Sequence, residues 1–251
     1  MKDVAHRQVV GIVDLDLGHL RIMARAGCGQ HVGVPIEQFA VLAADPQAPI
    51  DALALAIAAG FRDIDAEGAF ARLDVLGDEV AAVRDDDAGP DAGIDALREV
   101  LAVRHGFRGD RLQYDDPANS MLDVVLERRR GLPIVLSVLY VAVASRSGIA
   151  MSGVGLPGHY VVRDLAMTPP VLIDPFAGGR RMVVEPSTDI RPWSAHQTAL
   201  RMLNNLIGSY ARRSDLTQQI RAAELRLALP STPARTRALR LEWLSMQARL
   251  N

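Results

Sequence analysis

Residues Ile134 to Ser147, IVLSVLYVAVASRS, constrain the fold more than any other stretch. They are apolar nearly all round, and a helix of that kind must be buried on most of its sides. Pro133 suits the first turn of such a helix and Gly148 ends it. The run is too short for the roughly 20 residues of a membrane span. Other elements of the same chain therefore have to cover it, and the residues that follow supply them. GIAMSGVGLPGHYVVR reads as strand, turn and strand, with the turn at Gly155-Leu156-Pro157-Gly158. Val171 to Asp174 is a third strand ended by Pro175. Phe176 to Gly179 is a turn, and Arg181 to Val184 a fourth strand. A buried helix against an antiparallel sheet is an α+β arrangement.

The flanks read as helical. Pro35 fits a helix start, with Phe39, Leu42 and Ala43 on one face. Asp51 is the expected N-cap of ALALAIAAGF, and Asp65 precedes a segment that Phe70, Leu73, Val75 and Leu76 mark as an amphipathic helix. RDDDAGPDAG, residues 84–93, is an exposed loop that matches no calcium-binding spacing. Ile94 to Phe107 is a helix, with His105 as a helix-terminus residue. Ser120 with Asp123 resembles a capping box for a helix from Met121 to Arg130, which exposes Glu127, Arg128, Arg129 and Arg130. Three helical segments fill 194–249. Their Arg201, Arg212, Arg213, Arg221 and Arg226 read as a solvated face. The expected organisation is a mostly helical region over 1–83, a core over 94–190, and a helical, tetratricopeptide-like region over 194–251, without a repeating period.

Composition excludes several classes. Net charge is −2, so no nucleic-acid partner is expected. Cys28 is the single cysteine, which rules out an internal disulfide and a cysteine metal cluster. It lies between two glycines and reads as incidental. The N-terminus lacks the charge and apolar pattern of a signal peptide. A cytoplasmic protein without membrane contact, metal or cofactor is expected.

Several stretches carry a family resemblance: Tyr114 to Ser120 (YDDPANS), Val125 to Ile134 (VLERRRGLPI), Leu136 to Tyr140, Gly155 to His159 (GLPGH) and Ile173 to Gly179 (IDPFAGG). Together, in this order, they resemble the bacterial SirB1-type proteins, which carry a transglutaminase-like, papain-like core of the second type. The resemblance implies a nucleophilic Cys at the start of the buried helix, with His and Asp on the strands that follow. His159 and Asp174 match the last two places, and Pro133 falls in the first. A thiolate would gain from the helix N-terminus and from a His held by the Asp, but Pro133 offers no nucleophile. The expectation is a pseudoenzyme that binds a protein or peptide in a groove involving Asn119, Pro133, Pro157, Gly158 and Tyr160. A hydrolase or acyl transferase using His159 and Asp174 with water or Ser137 is the alternative, and a thiol brought over from Cys28 is a further one.

Overall fold

The computed structural model describes residues 36–85, 87, 89, 91–185 and 188–250. Pro35, Cys28 and the rest of the N-terminal segment lie outside the described residues. Three helices open the fold: α1 (Ile36–Ala44), α2 (Ile50–Ala59) and α3 (Ala66–Val83). Asp65 caps α3 by accepting the Gly68 N–H at 2.9 Å. Leu73 and Leu76 lie on its buried face, whereas Val75 proves exposed. Asp51 does not cap α2. That helix begins two residues earlier, behind Pro49, and Asp51 sits buried in its first turn, 2.8 Å from Arg146. A paired, buried carboxylate near the positive end of a helix explains why it lies inside rather than at the boundary.

α4 (Ala92–Leu97) runs directly into a π-helical segment, Arg98–Arg104. The short strand β1 (Arg108–Gly109) pairs in parallel with β2 (Arg130–Gly131). Between them lie a 3-10 turn (Pro117–Ser120) and α5 (Leu122–Arg128). The expected capping box is replaced here. Asp116 caps the 3-10 turn through the Ala118 N–H, and Met121 is the N-cap of α5 with no side-chain bond. Arg129 closes α5 in the left-handed region at φ 58°, so the chain turns sharply into β2.

The apolar run forms α6 (Pro133–Arg146), with Pro133 at its first position. It is buried along almost its whole length, as its composition requires. Strands β3 (Met151–Leu156), β4 (His159–Asp164), β5 (Leu172–Asp174) and β6 (Arg180–Met182) form one antiparallel sheet in sequence order. Tyr160, Val162 and Ile173 join the main hydrophobic cluster with α6. Val154, Leu156, Val161 and Leu172 form a smaller cluster with Met182, Val184 and Ile190. This division follows strand alternation.

The last elements are α7 (Ala195–Arg212), α8 (Leu216–Ala228) and α9 (Pro233–Gln247). A full capping box, Ser194 with Gln197, starts α7. The main cluster runs from Phe39 to Met246, so the flanking helices share one interior with α6 and the sheet. The C-terminal arginines are not a uniformly solvated face. Arg226 is 6% exposed and reaches Asn204 at 3.0 Å and Glu242 at 2.6 Å. Arg221 donates to the Gly60 carbonyl at 3.0 Å. These guanidinium groups hold helices together, because a multi-donor planar head satisfies several acceptors in a place where carbonyls would otherwise be left without donors. Among the described residues, no helix is long and apolar enough to cross a membrane.

Candidate functional site

The β3–β4 hairpin sets the site. Leu156 pairs with His159, leaving Pro157-Gly158 as a two-residue turn. Gly158 takes φ 68°, a value that a side chain disfavours. His159 therefore emerges at the first position of β4. Asp174 ends β5, just before a 3-10 turn (Pro175–Ala177) that it caps.

The two side chains meet, with His159 Nε2 lying 2.9 Å from Asp174 Oδ2. The other carboxylate oxygen accepts the Phe176 N–H at 2.9 Å and the Ala177 N–H at 3.2 Å. Burial pushes the Asp174 carboxyl up. The hydrogen bond and charge of His159, with the two backbone N–H groups, outweigh that and leave it below the usual carboxylate value. An ionised Asp174 is an acceptor only, so His159 carries its proton on Nε2 and a neutral ring offers Nδ1 as the acceptor. The arrangement is that of an oriented base.

Arg201, on α7, stiffens the hairpin. Its guanidinium donates to the carbonyls of Leu156 at 3.3 Å and His159 at 2.9 Å, and it lies over the rings of Tyr160 and Trp193 at 5.5 and 5.6 Å. Phe176 packs its ring edge-on with His159, at 6.3 Å between centroids, and with Tyr114 at 6.0 Å. Neither Arg201 nor Phe176 stood out from the sequence as a site residue. For Phe176 the signal was its place in the IDPFAGG stretch; Arg201 carried none, since only tertiary packing brings α7 to the hairpin.

The remaining expected residues are dispersed by burial. Ser137 is fully buried and its hydroxyl faces the Tyr160 carbonyl at 3.4 Å; it borders a cavity of about 190 Å³ with Tyr160, Trp193 and Thr198, away from the His159–Asp174 pair. Tyr160 is 1% exposed, and its hydroxyl lies 2.7 Å from that of Thr198. Asn119 is buried as well. Its side-chain amide donates to the Gln113 carbonyl at 2.7 Å and to Asp110 at 3.3 Å, and its backbone carbonyl accepts the Leu132 N–H at 3.0 Å. It thus ties the 110–116 loop to the entry of α6. Pro133 is buried at that entry, and Pro157 and Gly158 are exposed at the hairpin tip. These five positions do not share one open surface. His105 pairs with Glu79 at 2.7 Å. Among the described residues, no group of three or more His, Cys, Asp or Glu side chains is placed to hold a metal ion.

Residues 108–112, Arg130 and the 3-10 turn line an open pocket of about 370 Å³, with Arg108, Asp110, Arg111, Leu112 and Phe176 on its walls. Arg130 is not simply exposed at a helix end. It is half-buried on β2 and donates to the carbonyls of Gly106 at 3.0 Å and Arg129 at 2.9 Å.

Comparison with known proteins agrees with this architecture. A UPF0162 protein of Xylella fastidiosa (strain 9a5c) is 34% identical over 171 residues, covering 60% of this chain and 61% of that protein. A UPF0162 protein of Vibrio cholerae is 30% identical over 88 residues, covering 35% of this chain and 33% of that protein. F-box only protein 21 of Homo sapiens is 31% identical over 100 residues, covering 37% of this chain and 16% of that protein. The chain thus spans less than two thirds of the length of these curated relatives. No solved structure matches it. Residues 67–204 match the model of the transglutaminase-like superfamily, which takes in more than half of the chain together with α6, the sheet, His159 and Asp174; the chain belongs to the transglutaminase-like superfamily.

Proposed function

We propose that this is a non-catalytic, transglutaminase-like binding or regulatory protein of the SirB1 type that engages a protein or peptide. The observation that carries the reading is the start of α6. Pro133 occupies the first helical position, where a thiol enzyme of this architecture would place its Cys, and it has neither a nucleophile nor an N–H. The only hydroxyl in the first two turns, that of Ser137, is buried against the Tyr160 carbonyl. A base without an attacking group does not make an acyl-enzyme. The His159–Asp174 pair then serves to brace β4 against β5 and to fix the turn that carries Phe176.

One observation favours a second reading. Asp174 holds His159 through Nε2, and in the neutral ring Nδ1 is the atom that would draw a proton from water. The two readings separate in one experiment. Purified protein is incubated with an activated ester, a fluorogenic amide and an isopeptide-linked peptide pair, beside the His159→Ala variant. Indistinguishable rates are expected. Turnover that disappears with His159→Ala would replace the binding reading with hydrolysis.

A further inference from the structure

The pocket beside the dyad carries unbalanced charge. Arg108, Arg111 and Arg130 contribute three guanidinium groups to its lining, against the single carboxylate of Asp110. That carboxylate is largely spent on its own loop. One oxygen accepts the N–H groups of Leu112 at 3.0 Å and Gln113 at 2.9 Å, and the other accepts the Asn119 amide at 3.3 Å. Among the described residues, Arg108 and Arg111 form no ion pair within 4.0 Å, and the polar contacts of Arg130 are to two backbone carbonyls. The chain as a whole has net charge −2, so a local excess of positive charge is not a by-product of a basic protein.

Strand register sharpens the point. The parallel β1–β2 pair sets Arg108 directly opposite Arg130. Like charges facing each other across a ladder repel, and an anion placed between them removes the repulsion. Burial and the neighbouring Arg108 lower the Arg130 pKa, and the charge of Asp110 offsets them only in part. The backbone bonds of Arg130 hold its head in place beforehand, so an arriving carboxylate meets an ordered donor.

The surroundings indicate what bears the anion. Leu112 is 97% exposed at the pocket rim, and Tyr114, 46% exposed, abuts Phe176 beyond it. An apolar side chain next to an acidic one fits this rim. A nucleic-acid base fits it poorly. Arg111 lies over the Phe176 ring at 5.6 Å, and that ring's other aromatic contacts, His159 and Tyr114, are edge-on, so base stacking would have to displace Arg111.

We propose that the Arg108–Arg111–Arg130 pocket is an acidic-peptide site: it receives a Glu or Asp side chain of a partner protein's segment, while Leu112 and Tyr114 receive an adjacent apolar residue. The proposal rests on the reading of the chain as a protein- or peptide-binding module. Through Phe176 and the Ala177 N–H, the site shares its wall with the His159–Asp174 pair, so occupancy and the dyad are in physical contact.

The test is fluorescence anisotropy with a fluorescein-labelled peptide of alternating glutamate and leucine, titrated with the full chain at low and moderate salt. Saturable binding that weakens with salt is expected. Arg108→Glu and Arg111→Glu should each weaken it about tenfold or more, the loss of one charged hydrogen bond. Arg191→Glu should leave it unchanged, because exposed Arg191 pairs locally with Asp189 at 2.7 Å. All three side chains are exposed, and circular dichroism would confirm that the variants fold. No peptide binding, binding indifferent to Arg108→Glu and Arg111→Glu, or tighter arginine-dependent binding of an oligothymidine or of pyrophosphate would each overturn the proposal. The underlying reading fails separately: ester or amide turnover that requires His159 would end it, even if arginine-dependent peptide binding persisted as substrate recognition.

Discussion

Replacing Asp174 tests how the dyad and its turn are held. The carboxylate accepts three hydrogen bonds, one from His159 Nε2 and two from the N–H groups of Phe176 and Ala177. Asp174→Ala removes all three. The cap of the 3-10 turn contributes about 1 kcal/mol. The charge-assisted bond to His159 contributes about 1.5–3 kcal/mol when well buried. The side chains are 25% and 17% exposed, so water recovers part of that, and a total loss of about 2–3 kcal/mol is expected. Asp174→Asn keeps an oxygen toward the two N–H groups, but it turns an NH₂ toward His159 and forces the ring proton to Nδ1. About 1–2 kcal/mol should be lost. With a urea slope of about 3 kcal/mol/M, the midpoint should fall by about 1 M for Asp174→Ala and by about half as much for Asp174→Asn. The pH dependence has a definite sign. A carboxyl whose folded pKa is depressed adds stability above its ordinary value near 4 and loses it as pH falls through the folded value. The gap between wild type and Asp174→Asn should therefore narrow in acid. Equal midpoints for the two variants at pH 7, or a gap that widens on acidification, would refute this account of the dyad.

Three further outcomes follow from the same geometry. Ser137→Ala should change stability by no more than about 1 kcal/mol in thermal melts, since its hydroxyl makes one long hydrogen bond, to the Tyr160 carbonyl. Arg146→Ala should cost about 3–5 kcal/mol by urea denaturation, because it strands buried Asp51 beside Asp74, whereas loss under 1 kcal/mol would mean that water reaches Asp51. Gly109→Ala should cost about 1–3 kcal/mol and shift the His159 ring resonances, because a Cβ there would run into the Phe176 ring.

The fold class could be read from one helix. Ile134 to Ser147 had to be surrounded, and the strands after it were marked by their turns. The pairing of His159 with Asp174 was legible only through resemblance, since fifteen residues of sequence separate them and nothing local links them. Burial was the harder quantity. Asp51 resembled a cap because Asp favours caps, but Arg146, distant in sequence, pulls it inside. Ser120 and Asp123 had capping-box spacing, yet Asp123 faces Arg62 at 3.0 Å and Met121 takes the cap position. Arg226 looked like surface charge because its partners, Asn204 and Glu242, sit on other helices. The basic pocket was hidden for a related reason: Arg108 and Arg130 belong to separate segments that meet only through a two-residue parallel pairing.

The helices flanking the sheet also grip one another directly. His196 of α7 bonds the Ala43 carbonyl at the end of α1, Arg221 of α8 bonds the Gly60 carbonyl after α2, and the Leu225 side chain closes on Gly60. Segments far apart along the chain thus buckle together behind the core like the two ends of a belt. A single cut in the exposed stretch around Leu165 and Ala166, between β4 and β5, would leave each fragment holding one half of the buckle, and the severed halves should stay associated. On that outcome the integrity of the molecule would not depend on the covalent link between β4 and β5, and His159 and Asp174 would meet from separate polypeptides.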